Sequence, residues 1–201
     1  MAAPNHQSHF WPTLLSLLLL IATTTTTTTA ATTTTTTPST QCTNALRNPS
    51  FESPALEPWL DMATGSFSTR GLSPAQPHTG TSSYRAHSNS SSTAAPSTLT
   101  LSQSYLSLPL GATVACWAWV QSQRPAGRTR VQVFLDAESC GEPVWMVGTG
   151  AQWVRVGGHV VVKDVGGGGV GHTVAVSVQG EGVSGEGWSV AVDDVGVGAG
   201  C

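Results

Sequence analysis

Between Thr98 and Val197, apolar and polar side chains alternate with period two, segment after segment. In Thr98–Ser102 the apolar face is Leu99 and Leu101, and in Thr113–Gln121 it is Val114, Cys116, Ala118 and Val120. Arg128–Asp136 groups Val131, Val133 and Leu135, and Trp153–Val162 groups Val154, Val156, Val160 and Val162. His172–Gln179 does the same with Val174, Val176 and Val178, and Trp188–Val197 closes the chain. Successive side chains of an extended strand point to opposite faces, so each segment predicts a strand with one buried face. Turn signals at Leu110-Gly111, Pro125–Gly127, Cys140–Pro143 and Gly166–Gly169 separate them. No long stretch carries a helical period. The pattern predicts an all-β sandwich or barrel.

Charge divides the chain in two. All eight Lys/Arg and all eleven Asp/Glu lie after Cys42. Ahead of it, Leu14 to Ala22 reads LLSLLLLIA, a short apolar run. A spanning helix needs roughly 20 apolar residues and a signal-peptide core about 7–15, so residues 1–22 read as a cleaved signal with no stable membrane span. Cleavage after Ala30 or Ala31 is an alternative. Residues 23–41 are almost pure threonine, which has no apolar face to bury, so a disordered, O-glycosylated spacer is expected. The protein is therefore expected outside the cell, free or wall-associated. With 9% charged residues and one lysine, Lys163, there is no basic patch to neutralise phosphates, and nucleic acid is not an expected partner.

The cysteines fit an oxidising compartment. Cys42, Cys116, Cys140 and Cys201 form an even set without a CxxC or a nearby His at metal spacing, which argues for two disulfides. Three pairings exist on paper. Cys42–Cys201 with Cys116–Cys140 is preferred, because Cys42 and Cys201 bracket the 42–201 domain and domain termini often lie close together.

Two strands are unusual on their second face. Trp117, Trp119 and Gln121 lie opposite one valine-rich stripe, and Arg130, Gln132 and Phe134 opposite the other. If the two strands pair as a hairpin through Gln123–Gly127, these six residues form one surface. Flat rings beside amides and a guanidinium suit a sugar, which has apolar C–H faces and a hydroxyl rim. The alternative is that a loop covers the face and makes the tryptophans a second small core.

Three motifs carry a family resemblance. Asn48-Pro49-Ser50-Phe51-Glu52-Ser53 with Pro58-Trp59, then Leu99-Thr100-Leu101-Ser102-Gln103 with Gly111-Ala112-Thr113-Val114, then Val192-Asp193-Asp194-Val195 follow in order along the chain. Together they resemble the cenC-type carbohydrate-binding modules, here in a secreted, fungal-type form. The resemblance implies a galactose-binding-like jelly roll that binds a glycan chain in the groove of its concave sheet, which would be the Trp117/Trp119 face. It also implies a structural calcium ion, with Glu52 and Asp193 as ligands. The residues themselves add one point. Apolar parity flips between Val192 and Val195, so a bulge is expected at Asp193-Asp194. Two adjacent carboxylates there suit either a cation or a solvated turn.

Other motifs are weaker. Gly166, Gly168 and Gly171 fit GxGxxG without a following helix. Asn89-Ser90-Ser91 is an N-glycosylation sequon. Asp136 with Glu138 or Glu142 is the clustered acidic group that a glycosidase would need. The expected function is non-catalytic glycan binding by a monomer. Behind it stand a structural or adhesive wall protein and, last, a secreted glycan-active enzyme.

Overall fold

The computed structural model describes residues 42–89, 97–122, 128–147, 152–165, 171–181 and 187–201. The leader and the threonine tract lie outside the described residues, as do most of the sequon and the glycine run. The described part is all-β. Its strands are β1 (Leu60–Thr64), β2 (Phe67–Ser73), β3 (Ser83–Ser88), β4 (Ser97–Leu106), β5 (Thr113–Gln121) and β6 (Arg128–Leu135). Then come β7 (Glu138–Ser139), β8 (Val144–Val147), β9 (Val154–Val161), β10 (His172–Glu181) and β11 (Trp188–Ala199). One six-stranded sheet runs β1-β4-β10-β6-β7, with β8 also paired to β6, and a five-stranded sheet runs β2-β3-β11-β5-β9. Every pairing is antiparallel.

The two sheets pack through the stripes that the alternation marks out. Leu99, Leu101, Val131, Val133, Leu135, Val174, Val176 and Val178 are buried from the six-stranded sheet. Val114, Cys116, Ala118, Val120, Val190, Val192, Val195 and Val197 are buried from the other, in the same core cluster. Removing such side chains from water supplies about 1.5–3 kcal/mol each, set against the entropy of ordering the chain. Trp188 lies over Gly180 of the opposite sheet, where a methyl group would sit 2.1 Å from the indole. Only a glycine admits that approach.

Both preferred disulfides are present. Cys42–Cys201 closes the two ends of the domain with Cα atoms 4.6 Å apart. Cys116–Cys140 joins β5 of one sheet to the segment after β7 of the other, with Cα atoms 5.8 Å apart. The expected bulge is present too. Register between β11 and β5 shifts between Asp193 and Gly196, and Asp194 has a φ of 42°.

Three strands escape the alternation rule. In β1 the pattern runs backwards: Leu60 and Met62 are 57% and 48% exposed. Asp61, on the other parity, instead accepts hydrogen bonds from Tyr84 Oη and from Arg70 Nη1. In β3 the inward positions are Tyr84, Ala86 and Ser88, and Ser88 Oγ pairs with Ser97 Oγ at 2.6 Å. A hydroxyl pair there meets Trp188 Nε1, which donates to Ser97 Oγ at 2.9 Å, so the buried polar atoms satisfy one another. In β2 the register shifts between Phe67 and Thr69, which breaks the period.

Candidate functional site

The six residues expected on one surface are divided between two. β5 lies between β11 and β9, and β6 lies between β10 and the β7/β8 strands, so the two never pair. Each strand does bury the stripe the sequence assigns to it. Those stripes face each other across the core, so their second faces look out on opposite sides of the sandwich. This corrects the single hairpin surface. Alternation sets which face of a strand is buried, but not the sheet in which it lies.

On the outside of the five-stranded sheet, Trp117 and Trp119 are half-buried and Gln121 is buried. The His78 ring stacks on Trp119 at 4.1 Å with a 17° interplanar angle, and it meets Trp153 edge-on at 5.6 Å. Trp117 lies across Gly196, where a methyl group would come within 2.1 Å of the ring. The Arg155 guanidinium sits 4.5 Å from its centroid. Gln121 Oε1 accepts from Arg85 Nη2 at 3.3 Å. Both indoles are thus in contact with side chains of their own chain, and the segment before β3 reaches over this face.

The outside of the six-stranded sheet carries the other three residues. Cross-strand register builds a row Thr64, Thr98, Gln179, Arg130, Trp145 from β1 to β8. Beside it runs Met62, Thr100, Ser177, Gln132, then Leu60, Ser102, Ala175, Phe134, Ser139. Trp145 is 48% exposed. Arg130, Gln132, Phe134, Ser177 and Gln179 line a hollow of about 90 Å3. Sites that enclose a ligand run about 300–1,000 Å3, so this hollow suits a molecule lying across the sheet. Five strands at about 4.8 Å spacing make the rows roughly 19 Å long, enough for several sugar residues.

The polar groups of this face are held in place. Arg130 Nη2 donates to Gln132 Oε1 at 3.2 Å, and Gln132 Nε2 donates to Ser139 Oγ at 2.8 Å. Ser139 in turn donates to the Gly141 carbonyl. Such a chain fixes the amide orientation before any ligand arrives, which lowers the ordering cost of binding. Trp145, Ser177 and Gln179 are absent from the sequence expectation. Val144–Val147 reads VWMV, with no alternation to show which way the indole points. On β10 the valine stripe is clear, but Ser177 and Gln179 read as ordinary solvent-facing residues.

Glu52, Asp193 and Asp194 are gathered by the segment 78–82. Glu52 accepts from the Thr81 hydroxyl at 2.7 Å and from the Thr81 and Ser82 backbone N–H groups. The Thr81 hydroxyl and these N–H groups hold the Glu52 carboxyl below its usual range. Asp193 is fully buried and accepts from the backbone N–H groups of His78, Thr79 and Asp194. Burial nonetheless pushes its carboxyl up to about 6. Burial also works to raise Asp194, but hydrogen bonds from Ser50, His78 and Thr79 outweigh it and hold that carboxyl below the usual range. The donor set is all oxygen and predominantly anionic, which fits a hard cation. The same oxygens already accept hydrogen bonds, and among the described residues no three His, Cys, Asp or Glu side chains converge on one point.

Of the acidic group near Cys140, Asp136 and Glu138 are engaged, and Glu142 is exposed. Asp136 accepts from Thr173 N at 2.8 Å and lies 2.9 Å from His172 Nδ1, while Glu138 pairs with Lys163 at 2.6 Å. Asn89 is exposed just beyond β3. No helix among the described residues is long and apolar enough to cross a membrane.

The fold places the chain among β-sandwiches built like carbohydrate-binding modules. A solved CBM61 module in complex with β-1,4-galactotriose superposes with a TM-score of 0.53 at 20% identity, covering 78% of this chain and 99% of that one. The CBM22 tandem of Paenibacillus barcinonensis Xyn10C gives 0.51 at 12% identity, covering 79% and 46%. A Stig cyclase from Fischerella sp. TAU gives 0.52 at 10% identity, covering 78% and 96%. One sandwich thus carries both binding modules and an enzyme, so the likeness establishes the fold, and function must be argued from the site. No protein-family model matches the chain, and no curated protein matches it.

Proposed function

We propose that this is a secreted, non-catalytic glycan-binding module of the cenC type, and that the glycan lies across the outer face of the six-stranded sheet. The observation that carries the proposal is the row Gln179, Arg130, Trp145, in which planar amide, guanidinium and exposed indole stand side by side. An indole buries the apolar face of a sugar ring, and burial of ~80 Å2 contributes about 2 kcal/mol at roughly 25 cal/mol per Å2. Amide and guanidinium groups fixed beside it meet the hydroxyl rim. A module of this fold bound to β-1,4-galactotriose supports the class of ligand. Polysaccharide retention assays on the purified protein test it. Retention on at least one polysaccharide with no new reducing ends is expected. Release of reducing ends would make the protein an enzyme, and no retention on any of them would remove the binding reading.

A structural calcium ion held by Glu52 and Asp193 belongs to the same proposal. Its support is the anionic oxygen cluster around 78–82, where His78 is the basic side chain paired with Asp194. An ion that binds only the folded chain at 100 times its Kd stabilises it by about 2.7 kcal/mol, or roughly 5–10 °C in a domain of this size. Chelation should lower the melting temperature by that amount, and Asp193→Ala should remove the dependence. A melting temperature unmoved by chelator and by added calcium contradicts the ion.

A further inference from the structure

Arg130 stands in the middle of the six-stranded sheet's outer face, and no carboxylate pairs with it among the described residues. Its Nη2 donates to the Gln132 amide oxygen, a neutral acceptor. The other residues around the hollow are Gln132, Phe134, Ser177 and Gln179, none of them charged. Of the acids beyond the β6 end, Asp136 is committed to His172 and Thr173 and Glu138 to Lys163. Among the described residues no ion pair reaches Arg130. Asp61, by contrast, answers Arg70 at 2.6 Å on the other parity of β1. Arg130 is half-buried, so its charge is only partly solvated, and it is held in place. A guanidinium presents a planar fork of donors that matches a carboxylate or sulfate in two-point contact.

The neighbour in register completes the arrangement. Trp145 lies directly opposite Arg130 across the β6–β8 pair. Facing residues of an antiparallel pair have Cβ atoms about 4.5–5.5 Å apart. A sugar ring stacked on the indole therefore holds its substituents within reach of the guanidinium. We propose that this face selects an anionic glycan, with the ring on Trp145 and a carboxylate or sulfate ester on Arg130. The proposal rests on the glycan-binding reading above and narrows its substrate class.

The test uses matched ligand pairs on the intact protein, so that only charge changes. Polygalacturonate is compared with its methyl ester, and a sulfated galactan with the same polymer desulfated. At low salt, retention is expected to be about tenfold stronger for the acidic member of at least one pair. That ratio should shrink toward one in high salt, as screening of a partly exposed charge requires. Preference in the first pair identifies a uronate, and in the second a sulfate. Arg130→Gln should bring the ratio to about one whatever the overall affinity, and its melting temperature reports whether it folds. Equal retention of both members in both pairs, with a neutral galactan also retained, overturns the selectivity and leaves glycan binding standing. No retention of any polymer removes both. The ligand pairs alone decide the matter if the variant does not fold.

Discussion

Trp188→Ala is expected to lower the melting temperature by about 10 °C or more. The indole is the largest of the fully buried side chains. It packs edge-on against Phe67 at 5.5 Å and lies over Gly180 of the facing sheet. Truncating a buried tryptophan costs about 3–5 kcal/mol, because lost transfer energy is joined by the cavity left behind. Here the flat bed of Gly180 has no side chain to collapse into that cavity. Trp188 Nε1 also donates to Ser97 Oγ, which then loses a partner in a dry site. In a domain of this size each kcal/mol moves the midpoint by roughly 2–4 °C. Thermal unfolding followed by circular dichroism checks the figure, and a shift below 3 °C would mean that the two sheets do not meet through this ring.

Removing the bond between the ends should matter as much. Cys42 and Cys201 are 159 residues apart, so the bond closes nearly the whole domain. On the chain-entropy model such a loop stabilises the fold by about 5 kcal/mol, a large share of the roughly 5–15 kcal/mol that holds a typical domain. The local structure limits compensation. Ala45 N donates to Val197 O, and Asn44 bridges to Val195 and Val197. The entry segment would stay docked through these bonds, the Gln103 amide on the Arg47 backbone and the buried Leu46, none of which constrains the unfolded chain. Replacing Cys42 and Cys201 together by serine should therefore lower the denaturant midpoint strongly, with a steeper slope because the unfolded chain without the cross-link exposes more surface. A midpoint equal to that of the unaltered protein would show that the hydrogen bonds already fix both ends.

Much of this architecture is legible in the residues themselves. Strands β4, β5, β6, β9, β10 and β11 are where the valines and leucines alternate, because a buried face on a period of two leaves no other register. The parity flip at Asp193-Asp194 marks the bulge for the same reason. β1 is hidden because its apolar residues, Leu60 and Met62, sit on the solvent side, while Asp61 is carried on the inward parity by Tyr84 and Arg70. The candidate site is half legible. Arg130, Gln132 and Phe134 are readable as an outward stripe. Their separation from Trp117 and Trp119 follows from sheet order, which comes from long-range pairing that no local pattern encodes. Trp145 is invisible for a different reason: a four-residue strand of valines, tryptophan and methionine has no period.

Which face binds is the central question, and paired variants answer it. Trp145→Ala and Gln132→Ala alter the six-stranded sheet, whereas Trp119→Ala alters the face where His78 already occupies the indole. The measurement is retention on the best-bound polysaccharide, read beside the melting temperature of each variant. Loss of about 2 kcal/mol of stacking corresponds to roughly thirtyfold weaker binding. The account predicts that loss for Trp145→Ala, a smaller one for Gln132→Ala, and nearly unchanged melting for Trp145→Ala. It predicts for Trp119→Ala retention close to that of the unaltered protein with a lowered melting temperature. Full retention by Trp145→Ala together with loss of retention by a normally melting Trp119→Ala would place the glycan on the opposite sheet and contradict the account.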